Sequence, residues 1–212
     1  MEKLIDKDNF ISVLFYLGLL IRDRIVRGKE YLKIPNLSIK KFYSQYLRAA
    51  YDEVDIFRLD VEVFKSLILD MAYDGKWEKA FDYLANQIDQ QTKIRDYLNG
   101  EKVIQGFLLA YMNIADVFTI HNEYEASKGF ADFYLEPFFA KYSDARYSYL
   151  IELKYVKREA NEQEIEERIK EAKTQLFKYE QDEVVQRTKG NTELKKLILI
   201  FKGWELVVRQ ES

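Results

Sequence analysis

Two hydrophobic periodicities divide this chain, and the change between them falls near residue 90. Before that point the apolar positions recur mainly at helical spacing. Residues 8–18 have helical character, and the apolar run Phe10–Ile21 reads as a buried helix leading into a strand. Leu19–Val26 and Tyr31–Ile34 read as two strands around Arg27-Gly-Lys-Glu30. Pro35-Asn36 ends that hairpin, and Asn36 or Ser38 can cap the helix that follows. Helices are expected over Lys40–Ala50, Val61–Ala72 and Trp77–Ile88, with Asp74-Gly75 as the turn between the last two.

After residue 90 the order becomes helix, three strands, helix, two strands. The helix at 101–115 is apolar almost all round, through Val103, Ile104, Phe107, Leu108, Tyr111 and Ile114, so it is expected to be buried. Strands follow near 117–123, 130–136 and 147–156. Glu159–Asp182 carries Ile165, Ile169, Ala172, Leu176 and Tyr179 as one apolar stripe of a helix. Leu194–Phe201 and Trp204–Val208 close the chain as strands, with Lys202-Gly203 as a tight turn. The pattern predicts a mixed α/β fold with a central sheet flanked by helices. It also predicts a division into an accessory helical or winged segment, 1–90, and a larger domain, 91–212.

Composition narrows the function classes. At 212 residues, 48% hydrophobic and 33% charged, the chain is globular and long enough for one good-sized domain with a smaller appendage. The absence of cysteine excludes disulfides and thiolate metal sites, and fits a reducing cytoplasm. The longest apolar run holds twelve residues, against about 20 for a membrane-spanning helix. Glu2 and Asp6 spoil the basic start of a signal peptide. No membrane association is expected. The net charge of −3 argues mildly against strong duplex binding, which depends on neutralising phosphates. Local patches matter more than the sum, and Lys40-Lys41, Lys154, Lys157-Arg158 and Lys195-Lys196 are the local basic clusters. The chain has no G-x-x-x-x-G-K phosphate loop and is not itself an ATPase.

The chemistry concentrates in Gly129-Phe-Ala-Asp-Phe-Tyr-Leu135 and Tyr149-Leu-Ile-Glu-Leu-Lys-Tyr-Val156. Side chains two apart on a strand share a face, so Glu152 and Lys154 project together while Ile151, Leu153 and Tyr155 point the other way. If the two strands pair, Asp132 comes beside them. That is a carboxylate pair for a divalent metal with an ammonium group alongside. The plainer alternative is a buried structural Glu152–Lys154 ion pair, because charges in an apolar strand need partners. His121, the one histidine, has no second His or Cys for a zinc site and reads as structural. The acidic segment Glu159–Glu171 reads as a solvated helix face.

Asp132 followed by Glu152-Leu153-Lys154 resembles the motif of the PD-(D/E)XK nuclease superfamily. The chain is similar, more closely, to the nuclease-like domain found C-terminal to an AAA-type ATPase-like domain in a group of bacterial proteins. Glu101 sits in the helix before the first strand, Glu123 at that strand's end, and Gln175 and Tyr179 in the helix after E-x-K. Leu32-Lys-Ile-Pro-Asn36 matches a phrase of that group at the join of its two parts. Phe130 stands where the group usually has Arg.

The resemblance implies a restriction-endonuclease-like core behind the winged segment, and hydrolysis of DNA phosphodiester bonds by an endo- or exonuclease. It implies Mg²⁺ or Mn²⁺ held by Asp132, Glu152 and the Leu153 carbonyl, with Glu101 holding a second ion or its water shell. Lys154 would orient or deprotonate the attacking water, or stabilise developing charge. Gln175 would orient that lysine or touch the nucleic-acid backbone, with Tyr179 on the same helix face. Glu123 is either a further ligand or, more simply, a surface carboxylate. The implied partners are DNA or RNA and an ATPase-like domain in cis or in trans. The acidic charge and Phe130 favour the alternative, a catalytically silent module for nucleic-acid binding or assembly with the ATPase part.

Overall fold

The computed structural model describes residues 7–36, 38–43, 45–46, 59–90, 100–126 and 129–212. The chain forms two compact units, Met1–Leu47 and Arg48–Ser212.

In the first unit a helix, α1 (Lys7–Tyr16), precedes an antiparallel hairpin of β1 (Ile21–Val26) and β2 (Lys29–Lys33). The connecting residues Arg27 and Gly28 both take positive φ, 50° and 78°, as a two-residue type I′ turn requires. Asn36 is the cap of the next helical stretch, 38–43, its Oδ1 accepting the Ile39 amide at 3.0 Å. Residues 44 and 47–50 of the helix expected over Lys40–Ala50 lie outside the described residues. The expectation of a buried first helix is corrected: Phe10 is 50% exposed, Tyr16 89% and Leu17 61%. An apolar run indicates a need for cover, and among the described residues these side chains stay exposed.

The second unit opens with two helices that the sequence pattern punctuates clearly. Asp60 caps α2 (Val61–Asp74), accepting the Glu62 and Val63 amides at 3.1 Å. Gly75 ends α2 at φ 69°, and a Cβ there would lie 2.9 Å from the Tyr147 ring, so only glycine fits. Helix α3 (Trp77–Gln90) buries Trp77, Ala80, Phe81, Leu84 and Ile88, one stripe at helical spacing. Helix α4 (Glu101–Met112) precedes β3 (Phe118–Ala126), β4 (Gly129–Pro137) and β5 (Tyr147–Val156). Next comes α5 (Glu162–Glu180), opened by a capping box between Asn161 and Glu164. A short helix not anticipated from sequence, α6 (Glu183–Thr188), starts on the cap Asp182. Strands β6 (Glu193–Lys202) and β7 (Glu205–Glu211) complete the unit. Lys202 pairs with Glu205, so the turn is Gly203-Trp204, one residue later than expected.

The sheet order is β3-β4-β5-β6-β7, antiparallel except for the parallel pair β5–β6. The α5–α6 connection between β5 and β6 supplies the crossover that a parallel pair needs. One sheet face, with Tyr149, Ile151, Leu153, Leu197 and Leu199, packs into a core with α2, α3 and α4. The other, with Tyr134, Leu150, Ile198 and Ile200, packs against Ala172, Leu176, Tyr179 and Val185 of α5 and α6. The result is a helix–sheet–helix sandwich whose central strands are apolar on both faces, as helix-covered strands are. The helices at 61–90 therefore share the second unit's core. The compact units divide at Leu47/Arg48 rather than at residue 90. Among the described residues no helix is long and apolar enough to cross a membrane.

Candidate active site

Strands β4 and β5 pair through Leu135–Tyr149, Tyr134–Leu150 and Phe133–Ile151, and their pairing stops there. The next residues along each strand are Asp132 and Glu152. The backbones part at the point where the two carboxylates stand. The Asp132 side chain crosses the opening, and its Oδ2 accepts the Leu153 amide at 2.8 Å. A carboxylate thus occupies a donor that a neighbouring strand would otherwise satisfy. The amide and carbonyl of one strand residue point to the same side. The Leu153 carbonyl consequently faces the same opening.

Asp132 has a second fixed contact. Its Oδ1 accepts from Gln105 Nε2 of α4 at 2.7 Å. Gln105 is itself buried, and the sequence reading did not single it out. The available signal was its position four residues after Glu101 in an otherwise apolar helix, which puts both on one face. Asp132 is anchored by two donors and keeps its remaining lone pairs for the opening.

Glu152 is 1% exposed, and its Oε2 takes the Lys154 ammonium at 2.9 Å. Its Oε1 is buried with no hydrogen-bond donor among the described residues. The Asp132 carboxyl is close enough for its charge to act on Glu152. Two acceptors without a donor between them repel, and a bridging proton or a cation relieves this. Burial first, and the Asp132 charge second, push the Glu152 carboxyl up to about 8. Burial also raises Asp132, with the Leu153 amide pulling the other way. For Lys154, burial works against the charge, but Glu152, Asp132 and Glu101 outweigh it and hold the ammonium above the ordinary lysine range.

The donor set suits a hard divalent cation. It offers two carboxylates and a carbonyl, all oxygen, around an orphaned buried Oε1. Among the described residues no three Asp, Glu, His or Cys side chains converge as a metal cluster. Glu101 accordingly does not join Asp132 and Glu152 as a third carboxylate of one cluster. It stands one helical turn before Gln105 and acts on Lys154 through its charge.

Helix α5 forms the opposite wall. Tyr179 is buried; burial raises its hydroxyl pKa, Glu152 adds to that, and a hydrogen bond with Gln175 opposes it. Gln175, Thr174, Glu171 and Lys170 line an open cleft with Lys154, so the lysine meets solvent where Glu152 does not. The side chains of Glu123 and Phe130 lie outside the described residues. His121 pairs with Glu136 at 2.7 Å and stacks on Tyr134, away from any metal cluster among the described residues.

A sequence model of the PD-(D/E)XK nuclease superfamily matches residues 99–211, more than half of the chain and all of the residues just described. The five-stranded mixed sheet between helices agrees with the restriction-endonuclease-like architecture of that superfamily. Helices α2 and α3 precede the matched segment yet share its core. No curated protein and no solved structure matches the chain.

Proposed function

Because the chain belongs to the PD-(D/E)XK nuclease superfamily, we propose that it is a divalent-metal-dependent nuclease that hydrolyses DNA phosphodiester bonds. The observation that carries this reading is the buried Glu152 carboxyl beside the half-buried Asp132, with Glu152 Oε1 lacking a donor among the described residues. A purely structural Glu–Lys ion pair has no need of a second, half-buried carboxylate whose repulsion must be tolerated.

In this reading Asp132, Glu152 Oε1 and the Leu153 carbonyl hold Mg²⁺ or Mn²⁺, with Glu101 set back to bind its water shell. The bound metal supplies a water of lowered pKa and positive charge for the phosphate. Gln105 and the Leu153 amide fix Asp132, so its remaining lone pairs are preorganised rather than mobile. The Lys154 ammonium, at the mouth of the cleft, stabilises negative charge on the phosphoryl oxygens. Gln175 and Thr174 line the cleft along which the substrate backbone would lie. Water adds to phosphorus, the bond to the leaving oxygen breaks, and that oxygen takes up a proton. An ATPase-like partner, in cis or in trans, belongs to this proposal through the segment Leu32–Asn36.

The test is cleavage of supercoiled plasmid and of single-stranded oligonucleotides with Mg²⁺ or Mn²⁺, with a chelator control. Metal-dependent cleavage that disappears in Asp132→Asn is the expected result. Metal binding without cleavage of any substrate would favour the silent module. Full activity in Asp132→Asn would overturn the assignment.

A further inference from the structure

The charge of the chain is unevenly divided between its two units. Residues 1–47 hold nine Lys and Arg against five Asp and Glu, a net of +4. With −3 overall, residues 48–212 carry −7. The unit with the carboxylate site is therefore the acidic one, and its own long-range field opposes the approach of a polyanion.

The excess positive charge is concentrated on one element. The hairpin Ile21–Lys33 contains Arg22, Arg24, Arg27, Lys29 and Lys33 against Asp23 and Glu30. Arg22 pairs with Glu30 at 2.7 Å, and Lys33 with Asp23 at 2.9 Å, with Arg24 beside the same carboxylate at 3.3 Å. These pairs use up the hairpin's acids. Arg27 and Lys29 at the tip have no ion-pair partner among the described residues. Every residue from Ile21 to Tyr31 is exposed.

The turn itself sets Arg27 apart. Its φ of 50° is the one positive value among the described non-glycine residues. The first position of a type I′ turn favours Asn, Asp or Gly, whose left-handed conformation is cheap. Arginine there gives up some turn stability and places a cation at the outermost point of the hairpin. A sparsely populated backbone conformation held by a residue ill suited to it is the mark of a tip kept for its side chain.

We propose that the β1–β2 hairpin tip, through Arg27 and Lys29, is a second nucleic-acid contact that grips the phosphodiester backbone without reading sequence. The ligand class rests on the nuclease reading; the contact itself does not depend on cleavage. Two unpaired cations on an exposed turn neutralise phosphates at little desolvation cost, which is how sequence-independent backbone binding arises. Because the hairpin is covalently part of the chain, a polyanion held there is kept at high local concentration for the acidic unit.

The test is binding of the full chain to fluorescent single- and double-stranded oligonucleotides in a chelator, across a salt series, so that cleavage plays no part. Arg27→Asn combined with Lys29→Gln is the informative variant, because Asn-Gly is the favoured dipeptide of this turn and the hairpin should be kept or strengthened. Affinity should fall on the order of tenfold, and the slope of log K against log salt should shrink by about 1.4–1.8, the equivalent of two phosphate contacts. Arg27→Lys, which keeps the charge, should bind as the parent does. Unchanged affinity and slope in the double variant would overturn the proposal, and would leave the hairpin as a surface for an acidic protein partner. So would no binding by the parent chain, or a loss in Arg27→Lys equal to that in the neutral variant. Cleavage assays on the same proteins separate this outcome from the nuclease reading, since Asp132→Asn should abolish cleavage and leave hairpin binding in place.

Discussion

Asp132 Oδ2 accepts the Leu153 backbone amide at 2.8 Å, across the point where β4 and β5 cease to pair. One side chain is thereby both a ligand in the proposed metal site and the closure of a gap in the sheet. The two roles separate by substitution. Asp132→Asn keeps an acceptor for the Leu153 amide and loses the charge; Asp132→Ala loses both. The asparagine variant should melt within a few degrees of the parent while cleavage falls on the order of 10²–10³-fold, the usual worth of one well-placed electrostatic group. The alanine variant should lose the same activity and in addition about 1–3 kcal/mol of stability, because the Leu153 amide and Gln105 are left without an acceptor. Thermal melts and plasmid nicking on the two variants check this. Equal melting of the alanine and asparagine variants would show that the bridging bond does not hold the strands.

The pH dependence of the metal-free protein follows from Glu152. Its carboxyl is pushed up to about 8 in the folded chain, against an ordinary value of 4.5. The folded state therefore holds this proton more tightly than the unfolded state. The stability this gives is fully present below about pH 4.5 and is lost as pH rises through about 8. Melting in a chelator should fall between about pH 4.5 and pH 8 and level off above that, and Glu152→Gln, which cannot ionise, should flatten that decline. Adding Mg²⁺ or Mn²⁺ at pH 8 should raise the melting temperature of the parent and not of Glu152→Gln. An identical pH profile in the two proteins would remove the buried carboxyl pair as a titrating unit.

Much of this site could be read from the sequence for a physical reason. Strand alternation is fixed, so Glu152 and Lys154 had to share a face, and their 2.9 Å contact follows from that geometry. The apolar surroundings of the pair, Leu150, Leu153 and Val156, likewise announced a strand covered on both sides. Other features depended on contacts between distant segments. The parting of β4 and β5 leaves no trace in local composition. Gln105 looked like one polar residue in an apolar helix until Asp132 supplied its partner. The stripes on residues 61–90 required burial but did not say against what, and the sheet face that covers them lies far along the chain. The run at Phe10–Ile21 misled in the opposite direction, since apolar character records a need for cover and not its presence.

Gln105 should behave as a positioning residue. Gln105→Leu removes the donor to Asp132 Oδ1 and leaves a buried acceptor unpaired, at a cost of about 1–3 kcal/mol. Asp132 then has one anchor instead of two, so metal affinity should weaken more than the fold. The expected signature is a cleavage rate that recovers in part as metal concentration is raised, with oligonucleotide binding in chelator unchanged. Metal titrations of cleavage on parent and variant decide it. A loss of rate that no metal concentration relieves would mean that Gln105 acts elsewhere than through Asp132.

Lys154 stands at the cleft mouth, with its ammonium tied to Glu152 and its charge held up by Glu152, Asp132 and Glu101. A lysine so placed is cationic at neutral pH, which suits it to stabilise charge and not to remove a proton from water. Lys154→Met tests the distinction, since it keeps much of the buried stem and removes the charge. The loss of cleavage should be on the order of 10²–10³-fold. Lys154→Arg should keep a measurable part of the rate, because a guanidinium also carries permanent charge and cannot act as a base at accessible pH. With the cation gone, Glu152 has lost the Lys154 donor on its Oε2, so its carboxyl should rise further and the metal should bind more weakly at pH 7 than at pH 9. Isothermal titration of Mn²⁺ into parent and Lys154→Met at both pH values measures that term apart from catalysis. Inactivity of Lys154→Arg together with unaltered Mn²⁺ affinity in Lys154→Met would point instead to proton removal by the neutral amine.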